Sequence, residues 1–146
     1  MEKGIESLAA YLKEEFQMGE VDIRTYSPLT LAYIGDAVYD LIIRTLVVER
    51  GNCPPHKLHK RTSQIVKAPA QAEMIERILP LLGGEEEQIY KRGRNAKSFS
   101  TAKNASVLEY RKATGLEALM GFLYLRGDMG RIVELVKAGL DKGEEG

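Results

Sequence analysis

The sequence has very little cysteine, no secretion signal and no excess of charge of either sign. Cys53 is the single cysteine, so an internal disulfide is excluded, and no Cys/His spacing typical of a zinc site is present. The N-terminus lacks the basic start and unbroken apolar run of a signal peptide. These absences argue against a secreted, disulfide-bonded protein and predict a cytoplasmic one.

The sequence also lacks a continuous apolar run long enough for a membrane span. Its most apolar stretch, residues 29–48, is interrupted by Asp36, Asp40 and Arg44, each of which is costly at membrane depth. The 146 residues, 44% hydrophobic and 29% charged, are typical of one soluble globular domain. We therefore expect a single domain over residues 1–146 and no membrane partner.

The periodicity of the apolar residues predicts an all-α fold. Apolar side chains recur every three or four residues, and no alternating run bounded by turn signals suggests a strand. Ser27 and Pro28 are a good cap and first turn for a long helix that Gly51 can close. Residues 1–27 should form a helical extension, and residues 141–146 a frayed tail.

Positive charge is concentrated in two segments although the net charge is zero. Residues 56–67 carry a net charge of +4, and residues 89–112 carry +6. The second segment contains a polar part with little periodicity, which predicts a basic loop over about residues 93–103 and a long helix capped by Asn104. A neutral protein with such patches can still bind a polyanion.

Two acidic residues stand in apolar helical sequence without a cation at neighbouring helical positions. They are Asp36 and Glu117, whereas Asp40 has Arg44 one turn further as an ion-pair partner. One interpretation is that distant bases pair with both acids as structural salt bridges. The other is that the two helices cross at their small residues and the carboxylates together bind Mg²⁺, which can activate water for attack on a phosphate.

The two acidic motifs together resemble the catalytic domain of the ribonuclease III family. YIGDAV at residues 33–38 is similar to the signature helix of that family, and LEALMGFLYL at residues 116–125 is similar to its second acidic helix. The segments at residues 58–60, 92–97 and 103–104 also resemble Mini-ribonuclease III, the small bacterial branch that has no double-stranded RNA-binding domain. The resemblance covers roughly residues 28–140.

This resemblance implies an all-α, ribonuclease III-like endonuclease domain. Such enzymes are homodimers that cleave double-stranded RNA with Mg²⁺ and leave 5′-phosphomonoesters. The branch implies a role in maturing the ends of the large-subunit (23S) ribosomal RNA precursor, with ribosomal-protein assistance left open. Asp36 and Glu117 match the catalytic, metal-binding acids.

The chain departs from the family at two further acidic positions. Full-length ribonuclease III has an acid four residues before the position of Asp36 and another three residues before that of Glu117, where this chain has Ala32 and Thr114. Half of the usual carboxylates are therefore absent. Water and RNA phosphate oxygens could complete the coordination of one Mg²⁺ ion, but a second protein-bound metal is in doubt.

The basic residues have two interpretations, contact with RNA phosphates and ribose hydroxyls or an ordinary solvated surface. With the resemblance, we expect RNA contact for Arg92, Arg94, Lys97, Lys103, Asn104 and Lys60. His56 and His59 are too few for a metal cluster and are given no catalytic role. The alternative functions are a noncatalytic RNA-binding or ribosome-associated helical module and a helical protein-interaction domain.

Overall fold

The computed structural model describes residues 8–96 and 106–140, and every regular element in these ranges is helical. Two short 3₁₀ helices lie at Ile23–Thr25 and Leu79–Leu81. The α-helices are α1 (Leu8–Glu15), α2 (Pro28–Glu49), α3 (Pro55–Val66), α4 (Ala68–Ile78), α5 (Gly84–Asn95), α6 (Val107–Leu125) and α7 (Met129–Gly139). The all-α prediction is confirmed. Within the described residues, no helix is both long and apolar enough to span a bilayer.

The long helix α2 begins and ends where the sequence predicts. The Ser27 hydroxyl oxygen accepts a hydrogen bond from the Thr30 amide at 3.1 Å, and Pro28 occupies the first turn. Gly51 follows the helix with φ of 135°, a conformation that side chains strongly disfavour. Local sequence chemistry is therefore sufficient to set both ends of α2.

The start of α6 corrects the prediction of a cap at Asn104. Ser106 is the N-cap, and its hydroxyl oxygen accepts from the Glu109 amide at 3.0 Å. The Glu109 carboxylate in turn accepts from the Ser106 amide at 3.0 Å. This reciprocal capping box satisfies two helix-terminal donors, whereas a lone asparagine cap would satisfy one.

The predicted basic loop is partly helical, because α5 continues through Asn95. Gly93 is buried against α6, where an added Cβ would lie 2.8 Å from Ala118 Cβ and 2.9 Å from Gly115 Cα. Tertiary packing at this close approach supports a last helical turn that the polar sequence does not predict. Arg92 and Arg94 therefore lie on a helix.

Helix α6 is the centre of the fold and packs against α2, α4, α5 and α7. Its Leu116, Leu119 and Leu123 side chains are completely buried. Glycines allow the closest approach to α2, because a Cβ at Gly121 would overlap the carbonyl group of Leu31. This crossing fixes the relative positions of the two helices that carry the predicted catalytic acids.

Candidate active site

Helix α2 supplies Asp36 from the position immediately after its contact with α6. Gly35 is buried in that contact, and an added Cβ there would overlap the backbone carbonyl of Glu117. The Asp36 side chain is exposed at the edge of the crossing. The burial of the glycine therefore positions the carboxylate beside α6 while leaving it open to solvent.

Helix α6 supplies Glu117, whose side chain is mostly buried and faces Asp36. The two carboxyl groups are close enough to share a hydrogen bond when Glu117 is protonated. Burial, with the nearby charge of Asp36 as a second cause, raises the pKa of Glu117 from 4.5 to about 8. The structure thus brings together the two predicted acids, and their pairing carries negative charge that a bound cation would neutralise.

Gln71 of α4 contacts Glu117, and sequence reasoning did not single it out. Its Nε2 donates to the Val66 carbonyl oxygen at 2.7 Å and to Glu117 Oε2 at 3.3 Å, and the residue is 2% exposed. A signal for it exists in the sequence. Met74 and Ile75, three and four residues later, place this polar side chain on the apolar face of the helix.

Two positions at which the resemblance implies further acids are uncharged and buried here. Ala32 lies one turn before Asp36, and the Thr114 hydroxyl donates to the Tyr110 carbonyl oxygen at 3.1 Å. No cluster of three or more His, Cys, Asp or Glu side chains suited to a metal occurs among the described residues. The protein ligands available at the crossing are therefore the carboxylates of Asp36 and Glu117.

These two carboxylates fit a hard divalent cation such as Mg²⁺. Such an ion keeps several waters and needs only one or two protein carboxylates, so a pair of oxygen donors is sufficient. Burial, with the nearby charge of Asp36 as a second cause, raises the pKa of Glu117, and a cation bound beside it would favour the ionised carboxylate. The donor chemistry therefore supports one metal ion, and residues 8–96 and 106–140 offer no further carboxylate cluster for a second.

The end of α5 brings part of the basic segment beside the acidic helix. Gly93 contacts Gly115 and Ala118, which flank Glu117 along α6. Arg92 is exposed, and the Arg94 guanidinium lies 5.7 Å from the centre of the Tyr90 ring. Positive charge is thus held close to the helix that carries Glu117.

Only one of the remaining predicted RNA-binding residues lies within the described part of the chain. Lys60 is exposed on α3, which packs against α2 and α4. Lys97, Lys103 and Asn104 lie outside the described residues. The predicted ion pair between Asp40 and Arg44 is confirmed, with a separation of 2.7 Å.

A comparison with protein families identifies the domain that this geometry belongs to. The Ribonuclease III domain matches residues 29–128, a range that includes both acids and their crossing helices. The chain belongs to the ribonuclease III family. Enzymes of this family cleave double-stranded RNA, generally with a divalent metal ion, and this chain is an endoribonuclease of that class.

Relatives within the ribonuclease III family are similar along most of the chain. A Mini-ribonuclease 3 from Thermoanaerobacter sp. (strain X514) is 46% identical over 95% of this chain and 98% of its own length. A Mini-ribonuclease 3 from Clostridium tetani is also 46% identical, over 92% of this chain and 89% of its own. The resemblance to that small branch is confirmed.

A solved structure of similar fold supports the all-α architecture. A crystal structure of a Fusobacterium nucleatum protein matches with a TM-score of 0.72 and 36% identity. The match covers 81% of this chain and 94% of the other. The all-α arrangement described here is therefore shared with an experimentally determined relative.

Proposed function

We propose that this endoribonuclease uses Asp36 and Glu117 to bind Mg²⁺ and cleave double-stranded RNA, and that it matures the ends of the 23S ribosomal RNA precursor. The observation that carries the catalytic part is the contact between the two carboxyl groups at the α2 and α6 crossing. The relatives named Mini-ribonuclease 3 support RNA as the substrate, and the 23S precursor is what the resemblance to that branch implies. Its action on ribosomal RNA precursors would take place in the cytoplasm.

The mechanism assigns different tasks to the two acids. Asp36 is exposed and would bind the metal ion from the side that the RNA approaches. Glu117 is mostly buried on α6 and would bind the metal ion from the protein side. Glu117 must lose its proton to serve as a ligand, and a nearby positive charge favours that loss. Asp36 and Glu117 would hold the Mg²⁺ ion, which would supply an activated water and would stabilise charge on the phosphate, so that hydrolysis would leave a 5′-phosphomonoester.

The basic residues would hold the duplex through its backbone. A-form RNA is recognised mainly by shape, phosphates and 2′-hydroxyls, so contacts of this kind carry little sequence preference. The exposed Arg92 and the adjacent Arg94 support this role, because α5 packs beside Glu117. We extend the same role to Lys60, Lys97, Lys103 and Asn104, with a ribosomal protein assisting in presenting the precursor.

We further propose a homodimer, with the second copy covering an apolar groove between α2 and α7. The groove has a volume of about 760 Å³ and is lined by apolar side chains that include Ile34, Leu41 and Val133. Leu41 and Val133 are each at least half exposed in the single chain. Two sites related by two-fold symmetry match the two strands of a duplex, which one pair of acids cannot cut together.

A cleavage assay distinguishes the proposed metal-dependent endoribonuclease from a noncatalytic RNA-binding module. Matched double-stranded and single-stranded RNA would be incubated with the protein, with Mg²⁺ or with a chelator. We expect cleavage of the duplex alone and only with the metal. Binding without cleavage under all conditions would contradict the catalytic proposal, and equal cleavage in chelator would contradict its metal dependence.

A further inference from the structure

The Gln71 side chain is an amide placed where packing alone would favour an apolar group. It is 2% exposed on α4, and its Oε1 atom is buried with no hydrogen-bond partner among the described residues. Leaving a polar atom unsatisfied in this way is unfavourable. The hydrogen bonds donated by the NH₂ group of the same side chain must therefore offset this cost.

The orientation of this amide is fixed by the two acceptors that it faces. Nε2 donates both to the Val66 carbonyl oxygen, at the end of α3, and to Glu117 Oε2. The flipped amide would direct its oxygen at a carbonyl and a carboxylate, which only accept hydrogen bonds when Glu117 is ionised. Gln71 therefore connects the backbone of a neighbouring helix to one particular oxygen of Glu117.

We propose that Gln71 is a positioning residue for the metal-binding carboxylate, a role that rests on the metal site proposed above. By holding Glu117 Oε2 it restricts rotation of the carboxylate and directs the group toward Asp36. Groups that hydrogen-bond to a metal-binding side chain in this way fix the orientation of the ligand. With uncharged Ala32 and Thr114 in place of further acids, a neutral amide supplies this support from α4.

The decisive measurement is Mn²⁺ binding by the full chain without RNA. The electron paramagnetic resonance signal of the free ion reports how much Mn²⁺ remains unbound. Gln71→Met keeps the approximate shape of the side chain and removes both donated hydrogen bonds. We expect about 10-fold weaker Mn²⁺ binding, the loss typical of residues that orient metal ligands. Wild-type affinity in this variant would overturn the proposal.

The kinetics should show the same effect as a dependence on metal concentration. With Gln71→Met, we expect kcat on duplex RNA to fall at limiting Mg²⁺ and to recover at high Mg²⁺, with an unchanged KM for RNA. A merely structural role would lower the active fraction equally at all metal concentrations. That result, like a change confined to KM, would overturn the proposal.

Ile75→Val is the matched control for packing damage. Ile75 is completely buried one turn further along α4, and the change removes one methylene group without altering any hydrogen bond. This variant should have a lower melting temperature but wild-type Mn²⁺ affinity. Equal weakening of Mn²⁺ binding in the control would overturn the proposal, because general loosening of α4 would then explain both variants.

A second variant at the same position keeps the proposal testable if the first one does not fold. Should Gln71→Met fail to fold, Gln71→Asn retains an amide that is one methylene group too short to reach both acceptors, and the same weakening of Mn²⁺ binding is expected.

Glu117→Gln distinguishes failure of the metal site from failure of the positioning role of Gln71. Unchanged Mn²⁺ affinity in Glu117→Gln would refute the metal site itself, whereas loss in Glu117→Gln with wild-type affinity at both Gln71 variants would refute only the positioning role.

Discussion

Gly35 on α2 lies directly against the backbone carbonyl of Glu117 on α6, so the residue before one acid forms the contact with the other. Any side chain at Gly35 would separate the two helices at the point where their carboxyl groups meet. The same helix contact therefore packs the core and sets the positions of the two carboxyl groups.

Gly35→Ala should destabilise the protein by about 3 kcal/mol, because its Cβ would overlap backbone that cannot rotate away. Thermal or urea unfolding would measure the loss. Gly84→Ala is the control, since nothing lies within 4 Å of its Cβ, and it should change stability by less than about 1 kcal/mol. Equal stability of Gly35→Ala and wild type would contradict the close helix crossing.

Asp36→Asn and Glu117→Gln should each lower the cleavage rate by more than about 100-fold while RNA binding and folding survive. Each change removes a metal-binding charge and nearly preserves shape. Asp40→Asn is the matched control, because Asp40 lies one turn along α2 in an ion pair with Arg44. Rates would be compared at equal folded protein, and full activity in either site variant would refute the assignment.

The stability of the metal-free protein should decrease as pH rises from about 4.5 to about 8, the interval between the ordinary and folded pKa values of Glu117. The folded state binds the proton more tightly than the unfolded state, so raising the pH removes stability, on the order of a few kcal/mol at most. Glu117→Gln should flatten this part of the curve, measured in chelator by thermal unfolding. Parallel curves for the two proteins would contradict the raised pKa.

Replacing Arg94, Lys97 and Lys103 with alanine should weaken duplex binding and reduce its salt dependence. Each lost phosphate contact removes at most about 0.9 from the log-log slope, the value for B-DNA. Arg24→Ala is the control, because it also removes one positive charge but lies near the far end of α6, where Arg24 pairs with Asp22. This variant should leave the slope unchanged. An unchanged slope in equilibrium binding would transfer the RNA-contact role to the exposed bases of α3, including Lys60.

Light scattering of the wild-type chain should give twice the 16.3 kDa mass of a single chain. Leu41→Glu places a charge in the groove between α2 and α7 and should shift the protein toward monomer. Leu81→Glu, at a similarly exposed apolar residue outside this groove, should remain dimeric. A monomeric wild-type protein at concentrations that support full cleavage would refute the dimer.

The sequence by itself determined the helical class, the ends of α2 and the two acids of the candidate site. Apolar spacing and local capping act over a few residues, and therefore Ser27, Pro28 and Gly51 are sufficient to predict where that helix begins and ends. Asp36 and Glu117 stand out because no cation lies one turn away from either, and the resemblance to the ribonuclease III family then implies their role in the site.

Only the tertiary structure decided how α5 ends and what surrounds Glu117. Gly93 remains helical because it packs closely against Gly115 of α6, which has no side chain to block the contact. No local sequence pattern encodes that contact. Gln71 reaches Glu117 from 46 residues away in the sequence. The raised pKa of Glu117 likewise depends on burial and on Asp36, because desolvation and charge interactions follow distance in space and not distance along the chain.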